Sequence, residues 1–217
     1  MDAQFWINAW NDGRTNFHQS DFNAGLLKYF PSLNPQKNQT VLLPLCGKSK
    51  DMLWLQGQGL KVHGVELYQR PVEEFFSENK LTPPTKTHDE DFFHYSSENI
   101  TLSSGDFFKL PITTQYDFVY DRAALVALPE TMRRDYAQKI IKLTRLGGKC
   151  LLITYEYDQE KLEGPPFSVV ADEVKELFLS GFNIQLLESS DEKREGPRFS
   201  QLDKLVQKVY ALEKIRE

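Results

Sequence analysis

The sequence predicts an α/β fold, a doubly wound and mostly parallel sheet with helices on both faces. Three observations carry that expectation. From residue 40 onward, short apolar runs ending in glycine or an acid alternate with segments of helical periodicity. A length of 217 residues suits one core of α/β size. No internal repeat or low-complexity tract divides the chain, so it reads as one domain over 1–217, with a helical extension at 1–39 and the alternating core at 40–217.

In the extension, FWINAW sets Phe5, Trp6, Ala9 and Trp10 at helical spacing, NDGRT breaks the pattern, and Ser20 or Asp21 caps a second helix through Phe30 before Pro31. TVLLPL is a first strand running into CGKS. The helix over KDMLWLQGQG then buries Met52, Leu53 and Leu55 and stops at Gly57 or Gly59. KVHGVEL is a second strand, and Pro71 suits the first turn of a helix over RPVEEFFSEN. After a polar stretch with Pro83 and Pro84 come a third strand in ITLSSGDFF and a fourth in YDFVYD. A helix from about Glu130 to Arg145 turns Met132, Tyr136, Ile140, Ile141 and Leu143 to one side, and GGKCLLITYEY is a fifth strand. Further on, DEVKELFLSG reads as helix and FNIQLLES as extended. In RFSQLDKLVQKVYALEK the residues Leu205, Val206, Val209 and Leu212 suit a helix, yet a final strand fits as well, and periodicity does not decide.

Composition narrows the function. The net charge is −5 and the pI about 5.5, with both signs interspersed, so the clustered cations that bind polynucleotide phosphates are missing. Asp2 stands where a leader needs cations, and no apolar run is long enough to span a bilayer, so a cytoplasmic protein is expected. Cys46 and Cys150 both lie in apolar stretches and read as reduced core residues. His18, His63, His88 and His94 are scattered without the close pairing of a metal site, and nothing demands more than a monomer.

Two nucleotide readings meet at VLLPLCGKSKD. A P-loop needs G-x-x-x-x-G-K-[ST], but the position five before Gly47 is Leu42, inside a buried-looking strand. Asp121, ending YDFVYD, imitates the magnesium-holding acid of such enzymes, though an acid at that place is common to many α/β folds. A dinucleotide fold needs a glycine-rich turn, and this one has Gly47 alone. The ribose handle survives, because Glu66 ends the second strand about twenty residues on, where a carboxylate accepts from both ribose hydroxyls unless it is merely solvated. A ribose handle without a diphosphate cradle suits S-adenosylmethionine.

Further candidates lie at the same sheet edge. Asp106 in GDFF accepts from an adenine amino group with Phe107 packed on the ring, or else is a turn acid before core phenylalanines. Asp121 and Arg122 in YDRAAL face the cleft, or form an ion pair stapling a loop. Trp6 and Trp10, at helical spacing, read as ordinary core residues. GPPF at 164–167 reads as a rigid loop.

The motifs FWINAWNDGRTNFHQ, PLCGKSKDMLWL, GVEL at 64–67, DRAALVAL at 121–128, YEYDQ and GPPFSV at 164–169 occur together and in order. In them the chain resembles the thiopurine S-methyltransferase family nearly end to end. The resemblance implies a class I methyltransferase, Rossmann-like with a seven-stranded sheet and an N-terminal helical lid. It implies S-adenosylmethionine held by Trp6, Trp10, Leu45, Glu66, Asp106, Phe107 and Arg122, and an acceptor beside Phe17 and Pro166. The implied reaction is methyl transfer to small aromatic or heterocyclic thiols, with selenium or tellurium compounds as further acceptors and Arg122 as the catalytic residue that favours the thiolate. The alternatives are a P-loop-like nucleotide-binding enzyme and a non-catalytic module that binds S-adenosylmethionine.

Overall fold

A computed structural model describes residues 3–15, 18–82, 84–193 and 199–216. Two short helices come first, α1 (Ala3–Asn11) and α2 (Ala24–Tyr29). The cap of α2 is Asn23, not Ser20 or Asp21: its Oδ1 accepts from the Leu26 amide at 3.2 Å, and its own amide is held at 2.8 Å by buried Asp51. That long-range acceptor decides where the helix begins.

The core follows as β1 (Thr40–Pro44), α3 (Asp51–Gly57), β2 (Lys61–Glu66), α4 (Gln69–Glu78), β3 (Thr85–His88), β4 (Phe93–Ser97), β5 (Ile100–Ser104) and β6 (Tyr116–Arg122). It is completed by α5 (Glu130–Leu143), β7 (Thr144–Glu156), α6 (Ala171–Phe178), β8 (Phe182–Asp191) and β9 (Val206–Lys214). The ambiguous final segment is therefore a strand. Its apolar residues Val206, Val209, Tyr210 and Leu212 pair antiparallel along β7, from Val206 opposite Glu156 to Leu212 opposite Cys150.

Seven strands form the expected core in the order β5-β2-β1-β6-β7-β9-β8, parallel through β7 and antiparallel at β9. The β3–β4 hairpin extends the β5 edge, making nine strands among the described residues. It occupies part of the polar stretch after Pro84. With every β3 residue exposed, that strand carries no apolar alternation to announce it.

Strand alternation divides the core between the two faces. Val41, Leu43, Phe118, Tyr120, Leu151 and Ile153 pack under α2, α3 and α4 with Phe30, Met52, Leu55 and Phe75. Leu42, Val119, Cys150 and Leu152 turn the other way, to Tyr136, Ile140, Val174 and Phe178 of α5 and α6. On that second face His63 and His94 meet through one hydroxyl. Ser103 Oγ lies 2.7 Å from His63 Nε2 and 2.8 Å from His94 Nδ1, and Tyr116 Oη lies 2.5 Å from His63 Nδ1. Hydrogen bonds to Ser103 and Tyr116 thus occupy both ring nitrogens of His63, and no group of three metal-ligating side chains occurs among the described residues.

The chain goes outward from β1 to β2 and β5, then returns to the other side of β1 for β6 and β7. Strand order reverses between β1 and β6, and ligands of open α/β sheets bind outside the carboxyl ends of the strands at such a reversal.

Candidate active site

The turn after β1 reverses sharply. Leu45 and Gly47 both take left-handed backbone, with φ of 47° and 53°. A leucine there costs about 1–2 kcal/mol, strain of the kind that clusters at functional sites. The reversal turns two amides toward β2: Cys46 donates to Val65 O at 3.0 Å and Gly47 to Glu66 Oε2 at 2.9 Å. It also explains the glycine of GVEL, since a Cβ on Gly64 would stand 2.7 Å from Cys46 Sγ and 2.5 Å from Leu102 Cδ2.

Glu66 is 6% exposed, and a second amide, from Tyr68, donates to its Oε1 at 3.1 Å. Burial pushes its carboxyl up, while the Tyr68, Gly47 and Leu67 amides draw it back. Each carboxylate oxygen keeps acceptor capacity after these bonds. Glu66 is thus a fixed, buried acceptor at the end of β2, not a solvated strand-end acid.

The GKS lysine is committed elsewhere. Lys48 Nζ pairs with Glu74 at 2.8 Å and Glu78 at 2.6 Å on α4, and lies 6.0 Å from the centre of the Trp10 ring. The Trp10 indole covers the turn, its Cζ2 3.0 Å from where a Cβ on Gly47 would sit. Trp6 lies one helical turn earlier on the same side of α1, half-buried, with the Phe5 ring edge-on to it at 5.2 Å. β1 continues to Pro44, so no loop long enough to wrap phosphates precedes Gly47.

Asp106 follows β5 and caps a 3-10 turn, accepting from Phe108 N at 2.9 Å. Phe107 is 4% exposed, and its ring packs 5.4 Å from Tyr136 beneath the turn.

At the end of β6 the two expected partners separate, because successive strand residues point to opposite faces. Asp121 turns inward, accepting from Tyr136 Oη at 2.6 Å and Leu125 N at 3.1 Å, and burial pushes its carboxyl up to about 6. It staples the loop that follows without pairing to Arg122. Arg122 is half-buried. His18 is held below its ordinary value by burial first, then by Lys48, Arg122 and Lys50 against the opposing Glu78, which puts its imidazole among the charges around the cleft.

The remaining motifs build one wall. The Phe167 amide donates to Val126 O at 2.6 Å, joining GPPFSV to the segment after Arg122, and Tyr157 Oη donates to Pro166 O at 2.5 Å. Arg133 of α5 lies 5.7 Å from the Phe167 ring centre and meets both oxygens of Glu173 on α6 at 2.7 Å. Periodicity gave no hint of this clamp, because Arg133 is a charged residue buried inside an otherwise ordinary helix. Phe17 lies outside the described residues.

Such a sheet, with a buried acid ending its second core strand, has the fold of the class I S-adenosylmethionine-dependent methyltransferases. Among solved structures, it is similar to the Burkholderia thailandensis 1,6-didemethyltoxoflavin-N1-methyltransferase, crystallised with S-adenosylhomocysteine (TM-score 0.67, 16% identity, 99% of this chain and 87% of that one). Haemophilus influenzae TehB is also similar (TM-score 0.61, 14% identity, 96% of this chain and 66% of that one). A family model described as thiopurine S-methyltransferase matches residues 1–215. Proteins named thiopurine S-methyltransferase from Bordetella pertussis (44% identity, 99% of this chain, 100% of that one) and Aliivibrio salmonicida (41% identity, 98% and 99%) align along the whole chain. The chain belongs to the thiopurine S-methyltransferase family.

Proposed function

We propose that this protein is an S-adenosylmethionine-dependent S-methyltransferase of small aromatic or heterocyclic thiols, with selenium and tellurium compounds as further acceptors. The observation that carries the cofactor half of this reading is Glu66, buried and fixed by the Gly47 and Tyr68 amides beside a turn whose lysine is occupied by Glu74 and Glu78. A fixed carboxylate suits ribose hydroxyls, and a turn whose glycine-adjacent lysine is already paired suits a cofactor without phosphates.

Bound there, S-adenosylmethionine supplies a methyl group on a sulfonium. Glu66 accepts from the ribose hydroxyls, Asp106 receives the adenine edge over the Phe107 floor, and the left-handed Leu45 turns the backbone toward the cofactor. Trp6 and Trp10 on α1 act as the lid: they exclude water and offer ring faces to a cation. Transfer would form the acceptor's S–CH3 bond as the donor's S–CH3 bond breaks, leaving two neutral thioethers in place of a thiolate and a sulfonium, so a site that excludes water would favour it. Arg122, permanently charged, holds the acceptor as thiolate and does not itself take the proton. Phe17 and Pro166 border the acceptor, and the pinned 164–169 loop fixes that border, which serves a reaction governed by alignment.

The reading is of a monomeric, cytoplasmic enzyme, and the free thiols of Cys46 and Cys150 suit that reducing compartment. The test is transfer of labelled methyl to an aromatic thiol, selenite and tellurite, beside calorimetric titration with S-adenosylmethionine and with ATP. A thiol product with no ATP binding supports the reading. Magnesium-dependent ATP binding overturns it in favour of a nucleotide enzyme, and cofactor binding without transfer to any acceptor reduces it to a binding module.

A further inference from the structure

Helix α1 is weakly anchored by its own packing. Of its nine residues only Ala9 and Trp10 are buried, and an isolated helix of that length is marginal in water. Two neighbouring contacts at its C-terminal end, among the described residues, help to seat it. Trp10 lies on Gly47, and Asn11 Oδ1 accepts from the Tyr68 hydroxyl at 3.0 Å. Gly47 and Tyr68 are the two residues whose amides hold the Glu66 oxygens, at 2.9 and 3.1 Å. Consecutive residues of the lid therefore rest on the two donors that fix the ribose acid.

We propose that Tyr68 is a positioning residue that couples docking of α1 to the grip on the cofactor, its amide aiming Glu66 while its hydroxyl latches Asn11. The inference rests on the reading of Glu66 as the ribose acceptor. Docked α1 retains the bound cofactor, and breaking the latch frees the helix without touching the carboxylate. Lys48 extends the seat, carrying the charge beneath the Trp10 ring to Glu74 and Glu78 of α4.

Tyr68→Phe separates the two roles, because it keeps the backbone amide on Glu66 and the aromatic body and removes only the hydroxyl. Asn11→Ala removes the other half of the latch. The measurement is dissociation of S-adenosylhomocysteine by stopped-flow tryptophan fluorescence, with amide hydrogen exchange of residues 3–11 in the cofactor-free protein and the melting temperature alongside. Each variant should release the cofactor about three- to tenfold faster, the loss of one hydrogen bond. The double variant should be no faster than either single one, amide exchange in α1 should quicken, and the melting temperature should hold. Unchanged release in Tyr68→Phe, or effects that multiply in the double variant, overturns the latch. Glu66→Gln distinguishes the two failures. Weak binding in that variant beside a silent Tyr68→Phe sinks the latch alone, whereas unchanged binding in Glu66→Gln sinks the ribose reading beneath it.

Discussion

The Gly47 amide donates to Glu66 Oε2 at 2.9 Å, so the turn after β1 and the acid ending β2 act as one unit. Glu66→Gln leaves an amide carbonyl to accept one backbone N–H and turns an NH2 toward the other. The charged acceptor for ribose is lost as well. Calorimetry should show cofactor affinity about ten- to hundredfold weaker, the scale of a lost charge-assisted hydrogen bond.

Gly47→Ala tests the same unit from the turn. An alanine at φ 53° costs about 1–2 kcal/mol, and its Cβ would sit 3.0 Å from Trp10 Cζ2, so the indole must move. Cofactor affinity should fall about tenfold. Affinity equal to wild type would show that neither the turn nor the tryptophan bears on the cofactor.

Arg122 is assigned to the acceptor's charge. Arg122→Ala should lower kcat about a hundredfold and Arg122→Lys about tenfold, the scale of one lost electrostatic stabiliser. The deficit should shrink for thiols already ionised at the assay pH. Wild-type turnover in both variants with unchanged cofactor affinity would remove the role.

Two buried groups give opposite pH slopes. Burial pushes Asp121 from 3.8 up to about 6, so the native state binds more protons than the unfolded chain across that window. The stability this contributes is full below 3.8 and lost as pH rises through 6. Burial first, and then His94, hold His63 at about 4 against 6.5, so its contribution is present above 6.5 and lost as pH falls through 4. Denaturant melts from pH 4 to 7 should show Asp121→Asn gaining on wild type as pH rises, by on the order of 2–3 kcal/mol. His63→Gln should lose ground over the same range. Parallel curves would show that neither group is perturbed.

Arg133 clamps the loop proposed to border the acceptor. Arg133→Ala strands Glu173 and the Leu128 carbonyl that Arg133 Nε bonds at 2.9 Å, and removes the cation beside Phe167. Breaking a buried pair costs about 3–5 kcal/mol, and with Glu173 partly exposed the low end is expected. The acceptor KM should rise while cofactor affinity stays, read by denaturant melts and steady-state kinetics.

Much of this was legible in the sequence, for physical reasons. Apolar runs such as TVLLP and YDFVYD are buried on both faces, so they mark parallel strands without ambiguity. Glu66 stood out because it ends the second strand, where a dinucleotide fold places its ribose acid, and it is buried there. What escaped depends on partners distant in sequence. Asn23 caps α2 because Asp51 receives its amide, and Asp121 turns inward because Tyr136 waits there. Nothing in GDFF announces that the Phe107 ring packs on Tyr136, a partner 29 residues further along the chain. The latch between Asn11 and Tyr68 joins two exposed polar residues with no periodic signature.

The most direct measurement is a crystal structure of the protein soaked with S-adenosylhomocysteine. The expected result has both ribose hydroxyls on the Glu66 carboxylate, the adenine edge at Asp106 and the Trp10 indole closed over the turn. Electron density for the ligand at any other place, or Glu66 making no contact with its sugar, would contradict the site from which the chemistry has been built.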